Sequence, residues 1–139
     1  MSVEACCGGG SSGPTVASGS YVPTLTPVAS PSIVSVAVAS PFLYTQIGDV
    51  LHVSGLIDVE VGSLAPFIEW DISLPVAVPS LQSCSGCLTM SSEPASNDCF
   101  GQAGLVRGAA VAARATVSTA TCNNPGLYQV AVEFSYLGL

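Results

Sequence analysis

Hydrophobic and polar residues alternate along three segments of this chain, which is typical of strands with one face buried and the other in water. The segments are residues 50–61, 67–74 and 128–136. In the first, one face carries Leu51, Val53, Ile57, Val59 and Val61, and the other carries His52, Ser54, Asp58 and Glu60. The three segments therefore predict antiparallel strands of a sheet with one wet face.

Weaker β patterns lie between and around these segments. They are residues 21–28, 33–39, 42–47 and 104–119, with a short strand near 87–91. Pro23 and Pro27 have no backbone N–H to donate to a neighbouring strand, so residues 21–28 are placed at a sheet edge. Pro41 indicates a bend, and residues 75–98 are interpreted as a long loop. About eight short strands with no long amphipathic helix predict an all-β antiparallel sandwich, with a jelly-roll arrangement.

The beginning of the chain has a different composition, since half of its first twenty residues are glycine or serine. Such a segment buries too little surface to offset its ordering entropy, so we expect another protein surface to hold it. Residues 1–19 are interpreted as an extended attachment arm and residues 20–139 as the sandwich domain. The arm residues expected to contact a partner are Val3, Glu4, Cys6, Cys7, Pro14 and Val16.

Charge is scarce, which excludes several functions. Only 8% of residues are charged, the net charge is −7, and the basic side chains are Arg107 and Arg114. Nucleic acids and anionic membranes both require clustered basic residues, so neither is an expected partner. No apolar run approaches the roughly 20 residues of a membrane span, and the start lacks signal-peptide features. We expect assembly in a cytoplasm, with the weakly charged surface buried in an oligomer.

Four cysteines follow the arm, and their spacing leaves alternatives open. Cys84 and Cys87 form a CxxC pair, whereas Cys99 and Cys122 stand alone. A zinc site would need a second CxxC or a nearby histidine, and His52 lies far upstream, so no metal is predicted. A disulfide, either Cys99–Cys122 or Cys84–Cys87, and free thiols that pack as small apolar groups both remain open.

The remaining candidate chemistry does not indicate an enzyme or a cofactor. His52 lies on the polar face of its strand, where a solvated or interface histidine is expected. Glu69 and Asp71 share one strand face, and such pairs are ordinarily solubilising residues. The alternatives are that they bind calcium or cleave a glycoside. The chain has neither a calcium-loop motif nor a nucleophile elbow. Trp70 falls in the apolar register, which favours a core position over a sugar-stacking platform.

Two sequence motifs carry a resemblance to a known family. Residues 19–26, GSYVPTLT, resemble the G-x-Y-x-P-T-L-T opening of a β-sandwich module found in tailed-phage virion proteins. Residues 44–55, YTQIGDVLHVSG, are similar to its Y-x-x-x-G-x-x-x-x-V-S-G segment, and residues 72–75 and 128–136 also fit. The resemblance covers the chain from Gly19 onward. The cysteine-containing loop at residues 81–99 departs from the pattern.

The resemblance implies a structural protein of the virion, because these modules occur in fibres, spikes and head-decoration proteins and usually act as trimers. We expect a homotrimeric head-decoration, cement or spike protein whose arm binds the capsid or another virion protein. The alternative is a carbohydrate-binding receptor module of a tail fibre, with a host surface glycan as ligand. The start at Met1 and the lack of a shaft repeat favour decoration over a fibre tip.

Overall fold

Nine antiparallel strands form the part of the chain that the computed structural model describes, which is residues 16–28, 33–62, 67–79, 81, 83–93, 102–118 and 126–137. The strands are β1 (Val16–Tyr21), β2 (Leu25–Pro27), β3 (Ile33–Ile47), β4 (Val50–Val61), β5 (Phe67–Ser73), β6 (Cys84–Glu93), β7 (Gln102–Ala109), β8 (Ala112–Ser118) and β9 (Gly126–Leu137). These ranges contain no helix. The all-β antiparallel prediction is confirmed.

The strands make one sheet in the order β1-β3-β4-β9-β6-β7-β8-β5-β2. β1 and β2 lie at opposite ends of this order, yet residues 22–24 alone join them, so Tyr21 and Leu25 lie about 14 Å apart at most. The sheet therefore curls until β2 lies against β3. Across the junction the Tyr21 hydroxyl donates to the Ser73 carbonyl at 2.8 Å. The two separate sheets of a jelly-roll sandwich are not confirmed, because hydrogen bonding runs unbroken through all nine strands.

The inner face of the curled sheet holds the core, and the three alternating segments supply most of it. β4, β5 and β9 bury the side chains that the alternation assigned to the inner face. The largest buried side chains are Trp70, Tyr128, Tyr136, Phe42 and Phe134. Trp70 is fully buried, which confirms its core position. Its indole Nε1 has no hydrogen-bond partner among the described residues, contrary to the usual pairing of a buried indole.

The proline bend predicted at Pro41 is instead a bulge inside one continuous strand, β3. Ser40 pairs with Leu56 and Leu43 with Ser54, so two residues of β3 face Gly55 of β4. The Phe42 ring fills the space over Gly55, where any Cβ would overlap it. A glycine at that position thus lets the bulge turn a phenylalanine into the core.

Two further parts of the chain differ from the sequence interpretation. The single strand expected over residues 104–119 is a hairpin, in which Ala110 takes a left-handed φ of 52° between β7 and β8. The long loop contains β6, a strand of 10 residues that pairs with both β9 and β7. At the other end, β1 begins at Val16, so residues 16–19 of the interpreted arm pair with β3.

Candidate functional surface

The arm residues expected to bind a partner lie almost entirely outside the described part of the chain. Val3, Glu4, Cys6, Cys7 and Pro14 are in this group. Val16 is described and opens β1, where it pairs with Ile47 at the end of β3. The described chain therefore enters the sheet beside the Gly48–Asp49 turn.

Both arginines of the chain are paired with carboxylates on the outer face of β5, β7 and β8. Arg114 Nε lies 2.8 Å from Asp71 Oδ1, and its Nη2 donates to Oδ2 at 3.1 Å. Arg107 Nη2 lies 3.5 Å from Glu69 Oε2, which also accepts from Thr116 Oγ1 at 2.8 Å. The hydrogen bond to Asp71 raises the pKa of Arg114. The two acids thus hold the arginines, and their positions give no support to calcium binding or glycoside cleavage.

His52 lies on the outer face between two residues of β9 that resemble parts of a catalytic triad. Its Nδ1 is 2.9 Å from Ser135 Oγ, and its Nε2 is 3.9 Å from Glu133 Oε2. The His52 and Glu133 side chains are 50% and 62% exposed. The N–H groups of these central strands are engaged in the ladder, so they offer no oxyanion donors, and water reaches the cluster freely. The arrangement suits a hydrated surface network better than nucleophilic catalysis.

The CxxC cysteines are free thiols that point to opposite faces of β6. Cys84 faces inward and is half-buried, and burial raises the pKa of its thiol to about 11. Cys87 is exposed on the outer face. Residues three apart on a strand cannot converge on one metal ion, and the described residues contain no cluster of metal ligands. The Cys84–Cys87 disulfide alternative is wrong for the same reason, while Cys99 and Cys122 lie outside the described residues.

An open groove of about 460 Å³ crosses the outer face where the β3 bulge separates the flanking side chains. Its apolar lining includes Pro41, Leu43, Leu56 and Ala131. Leu43 is 61% exposed. Cys87 also lines it, so a free thiol lies at the edge of an apolar surface. We call this feature the outer groove. It was not apparent from sequence, because it depends on the register shift at Pro41.

Aromatic rings are absent from the exposed surface of the described side chains. Tyr21 and Tyr44 are half-buried, and the other described rings are buried. Tyr136 donates to the Val76 carbonyl at 2.9 Å, and burial raises its pKa. The described aromatic rings therefore pack in or against the core, and only Tyr21 and Tyr44 reach the surface in part.

Comparison with known proteins adds no relative: no family model, curated protein or solved structure matches this chain. In the described ranges no helix has the length and apolarity needed to cross a bilayer. Any functional conclusion therefore depends on the surface features above and on the sequence resemblance.

Proposed function

We propose that the chain is a structural virion protein of a tailed phage, a head-decoration, cement or spike protein anchored by its N-terminal arm. The sequence resemblance supplies the class of particle. The role assigned to the arm comes from its glycine- and serine-rich composition and from the position of Val16 at the end of the sheet.

The observation that carries the proposal is the character of the outer face. Leu43, Leu56 and Leu127 expose apolar side chains on β3, β4 and β9, while both arginines are engaged with acids elsewhere. An exposed apolar surface with so little charge favours association with other protein surfaces. A homotrimer, the usual state of the modules that the chain resembles, is the assembly we propose.

The carbohydrate-binding alternative receives less support from the described surface. Sugar recognition by stacking requires an exposed aromatic face, and the described rings are buried or half-buried. Trp70, the aromatic residue considered for such a face, is wholly inside the core. We therefore place the structural role first.

The proposal is tested first by mass spectrometry of purified phage particles, in which this chain should be present, and then by its reattachment to particles stripped of it. Removal of residues 1–15 preserves β1 and should leave a folded domain that no longer attaches to particles stripped of the protein. A full-length chain with residues 2–15 in scrambled order is the matched control for arm length. Attachment of the arm-less domain at full occupancy, or absence of the chain from every particle, would overturn the proposal.

A further inference from the structure

We propose that copies of this chain associate through two unlike outer-face surfaces, with Glu60 and Leu127 of one copy seated against Arg107 of the next. The inference rests on the proposed function, because it names the contact by which the proposed homotrimer forms. A contact between unlike surfaces is heterologous, and it closes into a ring where the rotation between copies permits.

The receiving surface is an open depression of about 480 Å³ over β6, β7 and β8. We call it the arginine depression, and its outer-face side chains are Ser85, Leu105, Arg107 and Thr116. Leu105 is 69% exposed, more than any other large apolar side chain in the described ranges. The arginine depression therefore combines an exposed apolar group with a cation, which suits another protein surface better than water.

Arg107 has donors left for a second carboxylate. A guanidinium carries five N–H groups, and the ion pair with Glu69 joins one nitrogen of Arg107 to one oxygen at 3.5 Å. The Arg107 side chain is 67% exposed, so its remaining donors are accessible. Arg107 also lies directly opposite Arg114 on the β7–β8 hairpin, and like charges in that position destabilise a sheet. A further carboxylate would offset this repulsion.

The opposing surface pairs a carboxylate with an apolar side chain. Glu60 and Leu127 are direct cross-strand partners on β4 and β9. Both are exposed on the outer face, and no cation of the described residues forms an ion pair with Glu60. This patch complements the arginine depression, because Glu60 can meet Arg107 while Leu127 lies against Leu105.

Charge favours this contact over one between identical surfaces. The outer face of β4 carries Asp58 and Glu60, and that of β9 carries Glu133, so two copies that met through β4 and β9 would oppose like charges. Around the arginine depression, the two arginines balance Glu69 and Asp71. In a chain of net charge −7, this is the surface on which an acid of another copy meets the least repulsion.

Zero-length cross-linking tests the contact directly, because the chain contains no lysine and Arg107→Lys supplies a side-chain amine. Full-length variant labelled with nitrogen-15 is diluted with unlabelled variant until the oligomer dissociates, concentrated again, and treated with a carbodiimide. The reagent takes up the water released when the amine and a carboxylate form an amide. We expect peptides that join residue 107 to Glu60 and combine both isotopes. The matched control, Arg114→Lys, should join residue 114 to Asp71 within one copy.

A charge reversal provides the second test, with light scattering of the full-length protein as the measurement. Glu60→Arg should raise the concentration at which half of the oligomer dissociates by about tenfold, since attraction to Arg107 becomes repulsion. Asp49→Arg makes the same charge change at an exposed turn and should not raise it. Both variants reduce the net negative charge, so general repulsion cannot explain a difference between them. Equal effects, a monomeric parent, or exchanged oligomers without mixed-isotope 107–60 peptides would each overturn the inference.

Failure of this inference is distinguishable from failure of the proposed function. If particles contain the chain and lose it when residues 1–15 are removed, but the cross-link to Glu60 does not form, the anchoring role stands and the inference is wrong. If the cross-link forms between copies but the chain is absent from every particle, the virion assignment is wrong and the contact between copies stands.

Discussion

Replacement of Gly86 by alanine should destabilise the domain strongly, because the added methyl group meets backbone rather than a movable side chain. Gly86 lies on β6 and pairs with Phe134 of β9. A Cβ at residue 86 would overlap the carbonyl oxygen of Glu133 and lie 2.5 Å from the Cα of Phe134. No rotamer relieves this contact, so β6 and β9 must separate locally.

The size of the effect follows from the movement required. Carbon atoms make favourable contact at about 3.5–4.0 Å, so the two strands must move apart by about 1 Å in the middle of the sheet. Overpacking a core costs about 1–3 kcal/mol, and an obstacle made of backbone places this substitution near the upper value. A loss of about 3 kcal/mol should lower the melting temperature of a domain of this size by about 10 °C. The loss is a large share of the total stability of such a domain, which is about 5–15 kcal/mol.

Urea unfolding and thermal melts measured by circular dichroism provide the assay, with Gly108→Ala as the matched control. A Cβ at Gly108 would lie 3.2 Å from the Leu81 carbonyl oxygen and 3.3 Å from Leu81 Cγ, so a small adjustment suffices. This variant should stay within about 1 kcal/mol of the parent, since alanine also restricts the unfolded chain. A Gly86→Ala protein as stable as Gly108→Ala would refute the close approach of β6 and β9.

Three further predictions concern thiols, alkaline pH and the core. Iodoacetamide at pH 8 should modify Cys87 much faster than the half-buried Cys84, as peptide mass spectrometry can measure. Burial raises the pKa of Cys84 from 9.0 to about 11, so its contribution to stability is complete below pH 9 and is lost as pH rises toward 11. Burial also raises the pKa values of Tyr21 and Tyr136 above 10.0, so their losses begin near pH 10, and Cys84→Ala should flatten a urea-midpoint profile between pH 9 and 10. Trp70→Ala should cost about 3–5 kcal/mol by calorimetry; an unchanged melt would place the indole outside the core.

The alternation of apolar and polar residues was sufficient to predict β4, β5 and β9 and the faces that they bury. This prediction succeeded because successive side chains of a strand point to opposite faces, so a period of two assigns every second residue to the buried face. Trp70 was assigned correctly for the same reason. β6 was missed as a full strand because Cys84 and Gly86 occupy inward positions, where the pattern gives no strong apolar signal.

The remaining errors have physical causes that a local pattern does not contain. The hairpin between β7 and β8 turns at Ala110, which adopts a left-handed φ without the glycine or asparagine that usually marks it. The pairing of Arg114 with Asp71 depends on the alignment of β8 with β5, elements far apart in sequence. The outer groove likewise depends on the register shift at Pro41. A proline in the sequence indicates a bend as readily as it indicates a bulge, so the shift could not be predicted.

The curled architecture restricts the surfaces through which copies of this chain can associate. β2 lies against β3, so addition of a foreign strand at that edge is hindered. Among the described strands β1 is paired on one side only, but it spans just 6 residues, and a short edge is a poor template for strand addition. The self-association that we propose therefore uses side chains of the outer face, where Leu43 and Leu56 are exposed.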